Sequence, residues 1–209
     1  MLFLFLSICI ACNISGNEDS GYRPTINIDT GVYKVLEKKF NVISLWEAPD
    51  YLGGLNPTYP IAIANMDCRV ARDTDWMSGG LICAMSKIVI KKRNEYTLIT
   101  NRAELKNTYA PITSKQEALS YAILYTRFFA VFDINFFKSS YDYLGETPGI
   151  SYVKQLNDGY LVHLFSYKQF GCEHPYYSTL VKVTKSGEVQ ILQQTASFED
   201  PQQYSLCID

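Results

Sequence analysis

The clearest pattern of hydrophobic and polar positions lies between Pro111 and Thr195. Its first part has a capping-box pattern, in which the Ser114 hydroxyl accepts from a free N–H of the first helical turn and the Glu117 carboxylate reaches back. The residues that follow repeat at helical spacing and form one stripe: Ala118, Leu119, Ala122, Ile123 and Thr126. The pattern therefore predicts a helix over about 114–127 whose stripe faces the core.

Two strand–turn–strand patterns follow this helix. The first covers 150–167 and turns at Asn157-Asp158-Gly159, where the Asp-Gly pair is expected to supply the positive φ of a tight turn. The second covers 177–193 and turns at Lys185-Ser186-Gly187. Its outgoing strand places on one face Tyr177, Thr179, Val181 and Val183. This alternation is typical of an antiparallel sheet with one face on the core and the other largely exposed to water.

The first half of the chain is harder to interpret. Residues 32–43 have helical spacing, but 40–46 are β-branched and aromatic and equally favour a strand. A short strand is predicted at 59–64, a hairpin at 81–100 and a helical turn at 101–107. Since neither a strand nor a helix buries its apolar side alone, we predict an α+β fold: an antiparallel β-sheet packed against one main helix.

The capped helix and the strands after it, ending in the run from Val183 to Val189, resemble a known kind of module. Residues 111–195 are similar to the PepSY-like and cystatin-like helix-plus-sheet modules of bacterial envelope proteins. Those modules mostly bind or inhibit other molecules. The resemblance therefore implies a binding or inhibitory role rather than catalysis.

The N-terminal residues 1–12 are uncharged and almost entirely apolar. Such a run is shorter than the roughly 20 residues that cross a bilayer, but it suits the hydrophobic region of a secretory signal. Cys9-Ile10-Ala11-Cys12 resembles the lipobox of bacterial lipoproteins, in which a small residue precedes the cysteine that is lipidated. No Lys or Arg precedes the run, unlike an ordinary signal; a start assigned too late would explain this. A non-lipidated signal and a buried N-terminal strand are the alternatives.

These features predict an organisation and a location. Residues 1–11 are expected to be a signal peptide, 12–21 a lipidated tether, and 22–209 a single α+β domain. The lipid on Cys12 would attach the protein to a membrane of the bacterial cell envelope, facing the periplasm or the exterior. The formal net charge of −2 gives no reason to expect a nucleic-acid partner.

Cysteine usage agrees with export. Apart from Cys9 and Cys12, the chain contains Cys68, Cys83, Cys172 and Cys207. An even number of cysteines in an exported chain indicates two disulfides. Of the possible connectivities, Cys68–Cys83 with Cys172–Cys207 is preferred because each pair closes a local loop. Buried free thiols that act as small hydrophobic groups are the alternative.

Candidate chemistry is sparse. His163 alternates with apolar neighbours on its strand, which is typical of a structural histidine. Cys172-Glu173-His174 groups a thiol, a carboxylate and an imidazole, but it lacks the ligand spacing of a closed zinc site. Asp67 and Asp73-Thr74-Asp75 lack the glycine and distal glutamate of a calcium loop. No catalytic residue, metal ligand or cofactor is therefore assigned.

An aromatic segment, 128–143, admits two interpretations. Its rings either wrap around the end of the sheet or form an exposed patch for an envelope protein, peptide or glycan. We expect a non-enzymatic envelope lipoprotein that acts as a binding module. The alternatives are an inhibitor or immunity-type protein of an envelope enzyme, and a small thiol- or metal-dependent hydrolase that uses Cys172, His174 or His163.

Overall fold

The computed structural model describes residues 31–49, 52–55, 60–67, 84–92, 94–168 and 170–207. These ranges contain two antiparallel sheets and three α-helices. The first sheet has the order β1-β2-β3-β4, with strands Ser44–Glu47, Pro60–Asp67, Ala84–Lys92 and Glu95–Ile99. The helices are α1 (Gly31–Phe40), α2 (Arg102–Tyr109) and α3 (Lys115–Thr126).

The second sheet has the order β5-β9-β8-β7-β6. Its strands in chain order are β5 (Asp142–Tyr143), β6 (Val153–Gln155), β7 (Gly159–Tyr167), β8 (Tyr176–Thr184) and β9 (Val189–Glu199). Short 3₁₀ helices at Ile134–Phe136 and Pro201–Gln203 flank this sheet. The three predicted hairpins are the antiparallel pairs β3–β4, β6–β7 and β8–β9.

The α+β class is confirmed, but the detail of one sheet under one main helix is not. Helix α3 is buried around most of its circumference, since Ser120, Tyr121 and Leu124 are buried as well as Ala118, Ala122 and Ile123 of the predicted stripe. Leu119 and Thr126 of that stripe are partly exposed. It lies between the two sheets, and its buried residues share one core with Ile88, Ile90 and Ile99 of the first sheet and Val162, Leu164, Val181 and Val183 of the second. A helix enclosed on two sides has no polar face and therefore no clear periodicity.

Helix α1 covers the other face of the first sheet. Its residues Tyr33 and Leu36 form a second core with Ile61, Ala64 and Val89. The Tyr33 hydroxyl donates to the Ile61 carbonyl at 3.0 Å. The two interpretations of 32–46 each hold over part of that range, because α1 ends at Phe40 and β1 begins at Ser44.

The predicted cap of α3 and the predicted turns of the hairpins are only partly as expected. The Ser114 side chain accepts from the Glu117 N–H at 3.1 Å, whereas the Glu117 carboxylate accepts from Thr113 N–H at 2.6 Å. Gly187 has a φ of +82°, as a glycine turn requires. The prediction of positive φ at Asp158-Gly159 is wrong. Gly159 instead permits a close strand approach, because a Cβ there would lie 2.1 Å from the Val183 carbonyl oxygen.

Candidate functional site: the outer face and edge of the second sheet

The second sheet has one face against α3 and one face turned away from it, which we call the outer face. Val162, Leu164 and Val181 point toward α3. Because side chains alternate along a strand, His163, Phe165 and the Ser178 opposite Phe165 lie on the outer face. This face gathers the aromatic segment, one histidine and an open strand edge.

Aromatic rings cover one end of the outer face. Phe165, Phe198 and Val131 are buried there, and five partly buried rings pack on them: Phe129, Phe137, Tyr141, Tyr143 and Tyr176. Tyr176 stacks on Phe198 with ring centroids 4.6 Å apart, and Tyr141 stacks on Phe198 at 5.2 Å. The interpretation that segment 128–143 wraps around the sheet end therefore holds for these residues.

The same segment also presents apolar side chains to solvent. Phe132 is 52% exposed and Ile134 is 57% exposed, while Phe136 lies at 36%. We call these three residues the apolar shelf. Buried rings and an exposed shelf thus occur within one segment, and each of the two interpretations describes part of it. Because contiguous exposed apolar surface marks interaction sites, the apolar shelf is a candidate contact surface.

His163 is covered by neighbouring rings on this face and is only 5% exposed. Its Nδ1 is 3.2 Å from the Ile150 carbonyl oxygen, and its Nε2 is 2.8 Å from the Ser178 hydroxyl. Since a carbonyl only accepts, Nδ1 bears the proton and Nε2 accepts from the serine. Tyr152 stacks on the ring at 5.0 Å. Burial lowers the pKa of His163 below its ordinary value.

Ser178 connects this buried ring to a groove on the outer face. The groove has a volume of about 410 Å³ and is lined by Ser178, Gln193 and Thr195 on its floor and by the loop from Leu144 to Gly149. Pro148 in this loop has no peptide N–H. Among the described residues, no group accepts from the peptide N–H groups of the other four loop residues, which are Gly145, Glu146, Thr147 and Gly149. The groove therefore offers hydroxyl, amide and backbone groups to a polar ligand.

The edge of β9 runs alongside this groove. Strand β5 pairs with β9 only at Phe198 and Glu199, and Leu144 N–H adds one bond to the Ser197 carbonyl at 2.9 Å. Within the described ranges, no strand pairs with the outer edge of β9 from Val189 to Ala196. We call this stretch the open edge. It has no charged residue, and Ile191 and Leu192 within it are 48% and 50% exposed.

The second histidine lies away from the groove and holds the C-terminal segment. Its ring is 4% exposed. His174 Nδ1 is 3.1 Å from the Lys168 carbonyl oxygen, and Nε2 is 2.8 Å from the Leu206 carbonyl oxygen. The predicted Cys172–Cys207 pair is present at disulfide distance, with the two Cα atoms 4.2 Å apart. The Cys172 sulfur is bonded to Cys207, so it is not the free thiol that a thiol-dependent hydrolase needs.

Other predicted residues fall outside the described ranges. These are Cys12, Cys68, Cys83, Asp73 and Asp75. Asp67 is described and is the last residue of β2. Across the described part of the chain, no group of three or more His, Cys, Asp or Glu side chains is placed to hold a metal ion. No helix in that part is long and apolar enough to span a bilayer.

The alternation predicted for this strand puts Ser178 on the face opposite to Thr179 and Val181, but it did not connect Ser178 to His163. It also did not identify the groove or the open edge. Comparison with known proteins adds no assignment, because no family model, curated protein or solved structure matches this chain. The function must therefore be argued from the outer face itself.

Proposed function

We propose that this protein is a binding module of the bacterial cell envelope, attached to a membrane by lipid on Cys12, and that the open edge of β9 is where it binds. The observation on which this proposal depends is the stretch from Val189 to Ala196, which is unpaired among the described residues and uncharged. The apolar run before Cys12 and the lipobox-like Cys9-Ile10-Ala11-Cys12 support the envelope location.

An unpaired strand edge presents a row of backbone N–H and C=O groups. An extended segment of another polypeptide can add there as a further strand, with affinity from main-chain hydrogen bonds and specificity from alternate side-chain contacts. Such a segment would continue the line that β5 begins at Phe198 and Glu199. Binding of this kind needs no chemical step.

The chemistry of the edge favours an uncharged partner segment. The side chains of β9 from Val189 to Phe198 are aliphatic, amide, hydroxyl or aromatic, so they give no charge for a strongly acidic or basic peptide to pair with. The exposed Ile191 and Leu192 supply apolar contact at the centre of the edge. The apolar shelf supplies aromatic contact on the outer face, and aromatic side chains are enriched among residues that dominate binding energy.

A random library of displayed 12-residue peptides, selected against the full chain, tests this proposal. Selected peptides should be uncharged and β-prone, and Ile191→Lys should weaken their binding at least tenfold because lysine on an edge opposes strand addition. Ile43→Lys is the matched control, since Ile43 is 66% exposed and lies outside the second sheet. That control variant should bind the peptides as the unmodified chain does.

Three results would contradict the proposal. The first is selected peptides that bind both lysine variants equally well. The second is a combination of two findings: the library yields no binder, and the chain forms a concentration-dependent dimer that Ile191→Lys dissociates. The edge would then bind a second copy of the chain. The third is peptide binding that appears only after removal of residues 1–21, which would show that this segment occupies the edge.

A further inference from the structure

We propose that Ser178 is an acyl-accepting nucleophile with His163 as its general base, and that the groove hydrolyses short acyl esters of uncharged polar molecules. This activity is separate from strand addition at the open edge, although Gln193 and Thr195 of that stretch also line the groove. It stands on a three-part arrangement: the Ile150 carbonyl, the His163 ring and the Ser178 hydroxyl.

The arrangement meets the geometric requirement for an activated nucleophile. Nucleophile and base must lie within about 2.6–3.2 Å, and a third group must orient the base. The Ser178 Oγ to His163 Nε2 distance is 2.8 Å. The Ile150 carbonyl accepts from Nδ1–H at 3.2 Å, which fixes the tautomer whose Nε2 lone pair faces the serine.

The sheet holds this pair in place. His163 and Ser178 come from neighbouring strands, and the register pairs His163 with Leu180 and Phe165 with Ser178, which puts the two side chains on a same-face diagonal. Tyr152 stacks on the ring from one side, and Phe165 meets it edge-on at 4.9 Å. The base is therefore shielded from water, whereas Ser178 lines the groove.

The protonation state of His163 also suits a general base. Burial lowers the pKa of His163 below 6.5, so the imidazole is neutral at pH 7 and its Nε2 is able to take a proton. Among the residues that line the groove, Glu146 is titratable and the others are uncharged. The groove therefore contains no Lys or Arg for an anionic substrate, which points to uncharged esters.

The groove lining defines the class of substrate further. Gln193, Thr195 and Thr147 offer hydrogen bonds to a polar alcohol portion. Residues 145–149 line the same groove, and the peptide N–H groups of the non-proline residues among them donate to no described group, which leaves them free to act as donors there. Backbone donors of this type stabilise the oxyanion that forms during acyl transfer.

The reaction balances with water as the only co-reactant. Ser178 Oγ attacks the ester carbonyl carbon while its proton passes to His163 Nε2. The ester C–O bond breaks, and the departing alcohol takes that proton. Water then attacks the acyl-serine and gives a proton to Nε2, and Ser178 regains it as the carboxylic acid leaves. The orienting group is a carbonyl rather than a carboxylate, so slow turnover of the acyl-serine is expected.

The test treats the full chain with a fluorophosphonate probe and with p-nitrophenyl acetate, and locates each adduct by peptide mass. We expect a stoichiometric adduct on Ser178 and none on Ser178→Ala. His163→Gln should slow labelling by a factor of about 100 or more, the usual contribution of a positioned base. Ser186→Ala, which removes an exposed hydroxyl in the β8–β9 turn, is the control and should label at the unmodified rate.

The unmodified chain provides a second readout if His163→Gln fails to fold. Its labelling rate should fall as pH decreases through the pKa of His163, because the protonated ring no longer accepts from Ser178. No adduct at Ser178, an adduct on another serine, or a labelling rate that does not fall as pH decreases to the limit at which the chain stays folded would overturn the inference. It would leave Ser178–His163 as a structural hydrogen bond, with the binding proposal unaffected.

Discussion

His163 Nε2 lies 2.8 Å from Ser178 Oγ, and this contact joins a buried ring on the outer face of the second sheet to the groove on the same face. The ring satisfies both of its nitrogens, one with the Ile150 carbonyl and one with the serine. Protonation of His163 reverses the second bond, because a protonated Nε2 donates to the serine oxygen and no longer accepts its proton, and it puts a charge on a buried ring. Stability and site chemistry depend on the same proton.

We predict that stability falls as pH decreases below about 6.5. The pKa of folded His163 is lowered by burial, so the unfolded state binds a proton more readily than the folded state. The contribution is fully present above the ordinary value of 6.5 and is lost as pH falls from there toward the folded pKa. Urea midpoints measured from pH 8 to pH 5 should decrease. In His163→Gln the decrease should be smaller, and equal slopes in the two proteins would contradict this assignment.

Thr179→Val should stabilise the protein. The Thr179 hydroxyl is buried and has no hydrogen-bond partner within the described part of the chain. An unpaired buried hydroxyl carries a desolvation penalty, and a methyl group of the same shape removes it, for a gain of about 1 kcal/mol in the free energy of unfolding. Urea denaturation measures this gain. The matched change at an exposed strand position, Thr97→Val, should alter stability by less than about 0.5 kcal/mol. Destabilisation by Thr179→Val would reveal an unrecognised partner.

Loss of the Cys172–Cys207 bond should destabilise the fold. The two residues are separated by 35 positions, and the loop-entropy relation gives about 4 kcal/mol for a bond that closes a loop of this length. The double variant Cys172→Ser/Cys207→Ser should therefore unfold at a lower urea concentration than the unmodified chain, both measured without reductant. Equal midpoints would show that the bond adds no stability.

Two phenylalanines of one segment should behave differently. Phe137 is partly buried and packs on Phe165 and Phe198 with centroids 5.5 and 5.7 Å apart, so Phe137→Ala should cost about 3 kcal/mol. Phe132 is 52% exposed, and Phe132→Ala should change stability by less than about 0.5 kcal/mol. Phe132→Ala should instead weaken the binding of selected peptides. Thermal denaturation and peptide titration of both variants separate these effects, and a large stability loss in Phe132→Ala would place that ring in the core.

The elements that sequence reasoning located are those fixed by neighbours along the chain. Two-residue alternation and glycine-containing turns located the two hairpins of the second sheet, and Ser114 located the start of α3. The prediction that α3 buries a single stripe did not anticipate the burial of Glu117, Ser120 and Tyr121, because a helix between two sheets has no polar face. That enclosure follows from strand pairing across long separations, which local patterns do not encode.

The candidate site depends even more on long-range pairing. The contact between His163 and Ser178 requires the register of β7 and β8, and the open edge requires that β5 be only two residues long. Neither can be inferred from residue types. In contrast, the alternation of His163 with Leu161 and Phe165 predicted a partly buried structural histidine, and its 5% exposure and two hydrogen bonds confirm the burial.

The most direct test of the central claim, that the second sheet binds a partner through its open edge and outer face, is site-specific photo-crosslinking in native cells. A benzophenone amino acid would replace in turn Ile191, Phe132 and Ile43, all more than 45% exposed, and crosslinked peptides would be sequenced. We predict that Ile191 and Phe132 crosslink to one extended segment of the same partner and that Ile43 does not. Crosslinks from Ile43 alone, or none from Ile191 and Phe132, would contradict the claim.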